Sequence, residues 1–259
     1  MSEKYVPTFT LNDGVEVPAV GLGTWKLRGD DAVTAVRSAI DIGYRHIDTA
    51  ALYRNEADIG RAIRDAISAG DVTREELFIT SKVWNDQQSD QEVQAAFRTS
   101  LTNLGLDYLD CYMVHWPCPS TGRHVERFAA LGTLQGLGDI RSIAVANYNG
   151  DQLRDVQEKT GIVPTINQVE LHPGFSQAEL REAHAQLGVL TEAWSPLAQG
   201  DVTHTSLLAD IADKYGVTPA QVALRWIYQL GVSSVPKSAT ATQRLDRKST
   251  RLNSSHEPL

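Results

Sequence analysis

Short apolar runs alternate along this chain with longer segments in which apolar residues recur on one helical face. The runs fall at 19–23, 45–48, 77–82, 109–115, 140–146, 165–170, 189–194 and 232–236, eight in all, and each has the length of a strand. Between them the spacing predicts helices such as 31–42, 56–68, 91–104 and 178–187. Ala32, Val36, Ala39 and Ile40 show why: steps of four, seven and eight residues bring them onto one buried face. Asp90, Thr205 and Thr218 stand where helix N-caps are expected, and Pro219 follows Thr218 at the favoured first helical position. Ahead of the first run, 9–11 and 15–17 alternate around Asn12-Asp13-Gly14, whose residues tolerate the positive φ of a tight turn; they predict a hairpin.

Eight strand–helix units in 259 residues is the arithmetic of an α/β fold of the (β/α)8 TIM-barrel type, here with an N-terminal β-hairpin. A doubly wound sheet also alternates strand and helix, but would carry G-x-G-x-x-G after its first strand. Gly21-Leu22-Gly23-Thr24-Trp25-Lys26 lacks the third glycine, so the barrel is preferred. From Ser238 onward the pattern stops: in these 22 residues the hydrophobic ones are Ala239, Ala241, Leu245, Leu252 and Leu259. The expectation is one barrel domain over 1–243, with the eighth helix and C-terminal loop missing, and a disordered tail over 244–259 foreign to the fold. Its DRKSTRLNSSH stretch resembles translated adapter or vector read-through.

Composition narrows the function. Lys and Arg total 24 against 32 Asp and Glu, a net charge of −8, which argues against a nucleic-acid surface or a basic membrane-binding face. No apolar run approaches the roughly 18 residues of a membrane span, and the N-terminal stretch has no signal-peptide core. Cys111 and Cys118 suit a reducing compartment. A soluble, cytoplasmic, monomeric protein acting on a small molecule is expected, with no nucleic-acid or membrane partner.

In such barrels the reacting groups sit at the C-terminal ends of strands. The second strand ends in Asp48, with Tyr53 in the loop beyond; the third ends at Lys82 and the fourth at His115. Asn147, Gln168 and Trp194 close the next three. A free tyrosine, with a pKa of about 10, is a poor proton donor at neutral pH. A lysine beside it would lower that value, and an aspartate would hold the lysine. A histidine across the site would orient a carbonyl oxygen. The set predicts a phenol that protonates an oxygen as hydride reaches its carbon. Cys111, His115 and Cys118 lack the fourth ligand of a tetrahedral zinc site, so no metal is expected; Cys111 and Met113 alternate as core residues would. His46 and His172 flank strand ends without evident ligand company. Trp25, Trp84, Trp116 and Trp194 all fall at the same rim, fit to line an apolar pocket, whereas Trp226 lies in a helical pattern.

These residues resemble the aldo-keto reductase family. Gly43-Tyr44-Arg45-His46-Ile47-Asp48-Thr49-Ala50, then Tyr53, Asn55-Glu56 and Ile59-Gly60, follow its first long motif. Leu77-Phe78-Ile79-Thr80-Ser81-Lys82-Val83-Trp84 matches the lysine strand and Tyr112-Met113-Val114-His115-Trp116-Pro117 the histidine strand. Asn167-Gln168-Val169-Glu170-Leu171-His172-Pro173 and Val235-Pro236-Lys237-Ser238 match two later motifs. The likeness runs from about residue 8 to about 243 and is greatest to the bacterial 2,5-diketo-D-gluconate and methylglyoxal reductases.

The resemblance implies NADPH-dependent reduction of aldehydes or activated ketones, with the cofactor extended across the barrel mouth. It implies a catalytic set of Asp48, Tyr53, Lys82 and His115, with Tyr53 the general acid. Asn147 and Gln168 would hold the nicotinamide carboxamide and Trp194 would stack on its ring. Gly23, Thr24, Trp25 and Asp48 would border the cofactor. Ser195, Leu197 and Gly200 would line its pyrophosphate, and Lys237 and Ser238 would meet the adenosine 2′-phosphate. Trp25, Tyr53, Trp84, His115 and Trp116 would shape the substrate pocket. The chain departs from the family pattern where Ala146 replaces a serine, and where Gln243 and Arg244 stand near the place of an arginine. A non-catalytic binding protein on the same barrel, or a metal-assisted hydrolase using Asp48 and His115, would be the alternatives. The first gives no reason to keep a lysine beside a phenol, and the second would require sensitivity to a chelator.

Overall fold

The computed structural model describes residues 7–237, apart from the side chains of 202–204. Thr8–Thr10 (β1) and Glu16–Pro18 (β2) pair antiparallel with Phe9 opposite Val17, one residue offset from the expected hairpin strands. Leu11 leaves the ladder because it closes the turn instead: its N–H donates to Val15 O at 2.9 Å and its carbonyl accepts from Gly14 N, whose φ is 86°. Leu11 and Val17 are then free to pack on Phe78, Cys111, Met113, Ala144 and Ile166, so the hairpin covers the floor of the barrel.

All eight expected strands form. They are Leu22–Gly23 (β3), His46–Asp48 (β4), Phe78–Val83 (β5), Leu109–Val114 (β6), Ile140–Ala146 (β7), Ile166–Glu170 (β8), Leu190–Trp194 (β9) and Ser233–Ser234 (β10). They pair in parallel in chain order, and β10 returns to the start. Gly21 N donates to Ser234 O at 2.8 Å, Ser234 N to Ala19 O at 3.0 Å and Gly23 N to Pro236 O at 3.2 Å, which closes the cylinder. Glycine is needed at this seam, because a Cβ on Gly23 would lie 2.5 Å from Val235 O.

Gly29–Asp41 (α1), Glu56–Ser68 (α2), Asp90–Leu104 (α3), His124–Gly136 (α4), Gly150–Thr160 (α5) and Ala178–Leu187 (α6) each link one strand to the next. Ser206–Tyr215 (α7) and Pro219–Gln229 (α8) both lie between β9 and β10. The N-cap of α3 is Ser89, not Asp90: the Ser89 hydroxyl and the Glu92 carboxylate form a reciprocal capping box, which leaves Asp90 as the first helical residue. Thr205 and Thr218 stand at the N-cap positions of α7 and α8 as expected; Thr218 forms a capping box with Gln221, with Pro219 behind it. The expected missing eighth helix and loop and the tail over 244–259 lie outside the described residues.

Candidate active site

The C-terminal ends of β4, β5 and β6 place four ionisable side chains around one opening. Asp48 is the last residue of β4 and 3% exposed; Lys82, on β5, is fully buried. Tyr53 ends a 3-10 turn over Ala51–Tyr53, and His115 follows directly on β6. Lys82 Nζ donates to Asp48 Oδ1 at 2.6 Å and to Thr49 O at 3.0 Å. The ammonium lies 5.3 Å from the centroid of the Tyr53 ring. The Tyr53 and His115 rings stand edge to face with centroids 5.8 Å apart.

Asn55 holds the Tyr53 loop in this position. It is 1% exposed, accepts from Thr49 Oγ1 at 2.8 Å, and donates to Thr24 O at 2.9 Å and Leu27 O at 3.0 Å. One amide thus staples the loops after β3 and β4 together on either side of the phenol.

The electrostatics depart from expectation at the phenol. Burial raises the pKa of Tyr53 by more than the Lys82 ammonium lowers it, and Asp48 adds to the rise. Tyr53 therefore stays protonated at neutral pH, as a proton donor must, while Lys82 stands ready to stabilise the phenolate left behind. Burial also works against the Lys82 charge, but Asp48, Tyr53 and Glu192 outweigh it and raise its pKa. For His115, burial, then Lys82 and Arg127, act together and lower the pKa to about 3.

His115 is therefore neutral and carries one N–H. Its Nδ1 is buried without a partner. An orphaned donor is rarer than an orphaned acceptor, so the proton is assigned to Nε2.

His184, on α6, is pushed by burial to about 4, so two histidines enter the fold uncharged. Both bind protons more readily when unfolded, at the ordinary value of about 6.5. Stability from these groups is complete above that pH and is lost as pH falls toward 4. Thermal unfolding from pH 7.5 to 4 is expected to show melting temperature falling below 6.5, less steeply in a His115→Leu variant. A melting temperature that climbs as pH falls through this window would show the histidines to be charged in the fold.

Asn147, just past β7, has φ 64°, a left-handed conformation asparagine tolerates. Its Oδ1 accepts from Trp194 Nε1 at 2.9 Å and its Nδ2 donates to His115 O at 3.0 Å. This pins the half-buried indole at the rim. Ala146 is fully buried and brings no hydroxyl. Gln168 donates through Nε2 to Asp48 Oδ1 at 2.9 Å and to Glu192 Oε1 at 2.7 Å.

Gly23, Thr24 and Leu197, expected to border the cofactor, also take part in the pairing and packing of the barrel. Thr24 is fully buried, and its hydroxyl donates to Asp48 O at 2.9 Å, which ties the end of β3 to the end of β4. Gly23 pairs with Lys237 at the barrel seam. The Leu197 side chain packs in a cluster with Leu171, Leu208 and Ala212. Ser195 and Gly200 lie on the same loop, which turns through left-handed residues at Ser195, Ala198, Gln199 and Gly200. Ser238 lies outside the described residues, whereas Lys237 is exposed beside Gly23.

Trp25 and Trp116 are 44% and 41% exposed at the rim, and Trp84 packs edge-on to His115 with centroids 5.1 Å apart. Arg127, on α4 and fully buried, donates to Trp116 O and Trp84 O, both at 2.9 Å, and ties these two loops together. Neither Arg127 nor Glu192 was among the residues expected at the site. Cys111 is buried in the floor cluster and Cys118 sits on the loop after β6; no group of three metal-ligating side chains occurs among the described residues.

The sequence profile of the Aldo/keto reductase family matches residues 19–250. The chain is 46% identical to 2,5-diketo-D-gluconic acid reductase B of a Corynebacterium over 90% of its own length and 83% of that protein's. It is 43% identical to a methylglyoxal reductase of Escherichia coli, with the same shares covered. The crystal structure of a Bombyx mori aldo-keto reductase in complex with NADP superposes with a TM-score of 0.90 at 34% identity, covering 97% of this chain and 89% of that one. With a buried lysine between an aspartate and a tyrosine at the mouth of a closed parallel barrel, and a family profile spanning nearly all of that barrel, the chain belongs to the aldo/keto reductase family.

Proposed function

We propose that this protein reduces aldehydes and activated ketones, α-dicarbonyls and keto-sugar acids among them, to alcohols with NADPH as the reductant. The observation that carries the reading is the buried Lys82, held by Asp48 and lying 5.3 Å from the Tyr53 ring centroid, with a neutral His115 edge to face with that ring.

The residues present fit a nicotinamide carboxamide. Gln168 spends both N–H bonds on carboxylates, which leaves its Oε1 as the atom of the amide that can accept from a ligand. Asn147 keeps one further N–H, and the pinned Trp194 offers a flat face. Reduced nicotinamide, when bound, supplies the hydride. The chain does the rest. His115 Nε2–H donates to the carbonyl oxygen and fixes its direction, Tyr53 gives that oxygen its proton as the C=O π bond breaks, and Lys82 stabilises the phenolate until solvent returns a proton. The tryptophan rim excludes water and accepts the apolar part of the substrate.

Lys237, exposed at the end of the last strand, is the residue we assign to the 2′-phosphate. In a Lys237→Met variant, KM for NADPH is expected to rise about tenfold or more and KM for NADH to change little, since a charge-assisted bond to phosphate is worth roughly 1.5–3 kcal/mol. Equal losses for both cofactors would remove Lys237 from that role. We also infer a cytoplasmic location and a monomeric state; both cysteines are free, as suits a reducing compartment. The decisive assay is NADPH oxidation followed at 1 mM methylglyoxal, roughly the upper end of usual KM values. Steady turnover is expected, and its absence with NADPH bound would favour a binding role.

A further inference from the structure

The barrel interior beneath the reacting groups holds a second carboxylate that the chemistry above does not use. Glu192, on β9, has no exposed surface. Its Oε1 accepts from Gln168 Nε2 at 2.7 Å and its Oε2 from Ser233 Oγ at 3.0 Å. His46 Nδ1 stands 3.8 Å from Oε2, and among the described residues no lysine or arginine forms an ion pair with it. Barrel interiors are ordinarily filled by branched apolar side chains, and an acid without a close cation is costly there. Its one short, oriented contact with the site is Gln168.

We propose that Glu192 is a positioning residue that locks the Gln168 amide so that the mouth meets a carbonyl oxygen and never an N–H. This rests on the nicotinamide reading above and deepens it. An amide offers two N–H groups and one carbonyl. Asp48 Oδ1 takes one N–H at 2.9 Å and Glu192 Oε1 takes the other at 2.7 Å. Turning the amide over would press its oxygen against two carboxylate oxygens, so the orientation is forced. Asp48 alone would hold one N–H and leave the amide plane free to swing. With both held, Gln168 Oε1 has one fixed direction and accepts from the N–H of a ligand carboxamide. The amide orientation sets which ring face lies toward the substrate, so Glu192 acts on hydride transfer without touching cofactor or substrate.

Ligands that differ at a single group should therefore be told apart. NADP+ carries the carboxamide N–H, its 3-acetylpyridine analogue keeps the carbonyl but lacks the N–H, and 2′-phospho-ADP-ribose lacks the nicotinamide altogether. Their affinities, measured by quenching of tryptophan fluorescence, are compared in the wild type, Glu192→Gln and Glu192→Met. The wild type is expected to prefer NADP+ over the acetylpyridine analogue about tenfold, the worth of one oriented hydrogen bond. Glu192→Gln keeps an acceptor toward Gln168, because Ser233 can accept from the new amide, and should keep that preference. Glu192→Met should reduce it to about twofold or less, with 2′-phospho-ADP-ribose bound equally by all three proteins. Undiminished preference in Glu192→Met overturns the proposal, as does a wild type that binds both dinucleotides alike. Equal weakening of all three ligands in Glu192→Met overturns it in favour of a merely structural role. A wild type that binds neither dinucleotide overturns the cofactor reading itself, which separates that failure from failure of Glu192.

Discussion

Tyr53→Phe is expected to lower kcat by about 10²–10⁴-fold, the usual contribution of a positioned acid, while NADPH affinity stays within about twofold of wild type. The substitution keeps the ring, and with it the edge-to-face contact on His115 and the half-buried seat above Lys82. It removes the hydroxyl whose ionisation the Lys82 ammonium favours. The loss should not be recovered at any pH, because the alternative donor at the mouth, His115, has one proton already committed to orienting the carbonyl and gains a second only near pH 3. Steady-state turnover and fluorescence titration on the same preparation separate the two parameters. Near-full activity in the Phe variant would move the acid to His115 and leave Lys82 without a catalytic partner.

The framework was legible because each strand end coincides with a change in pattern. The run over 140–146 and the helix over 56–68 stand in the structure with those bounds. The two strands at the seam shrink to Leu22–Gly23 and Ser233–Ser234, because their pairing runs through isolated bridges and a glycine, which leave no periodic trace. Asp48, Tyr53, Lys82 and His115 were legible for the same reason: each closes, or follows closely, a buried apolar run.

Three further contributions were not read, for different physical reasons. Glu192 sits in a strand covered on both sides, where alternation does not separate the barrel interior from the helix-facing side. Arg127 carried a signal: with Ala130, Leu131 and Leu134 it falls at steps of three, four and seven residues, on the buried face of α4. A cation on that face is out of place unless backbone carbonyls receive it, as those of Trp84 and Trp116 do. The sign of the Tyr53 shift could not be read at all, since a lysine in sequence says how a phenol is pulled and nothing of how deeply it is buried.

The largest effect on stability is expected at Lys82, and it should be strongly non-additive with Asp48. Lys82→Met removes the cation 2.6 Å from Asp48 Oδ1 and leaves a carboxylate that is 3% exposed with the Gln168 amide as its remaining donor. Breaking a buried pair from one side costs about 3–5 kcal/mol, which for a chain of this size lowers the melting temperature by roughly 2–4 °C for each kcal/mol. Asp48→Asn from the other side leaves the buried ammonium with neutral acceptors, Thr49 O and the new amide oxygen, and no counter-charge beside it, and should cost a similar amount. In the double variant neither charge is stranded. The amide oxygen that Asp48→Asn introduces can still accept from Gln168, and the methionine fills the space of the lysine stem, so most of the lost stability should return. Turnover should not return, because nothing then stabilises the Tyr53 phenolate. Denaturant unfolding and kcat measured on the four proteins of this cycle therefore part company: stability recovers in the double variant and activity stays as low as in either single one. Simple addition of the two stability losses would mean that the pair is not the coupled, buried unit on which the proton chemistry of this site depends.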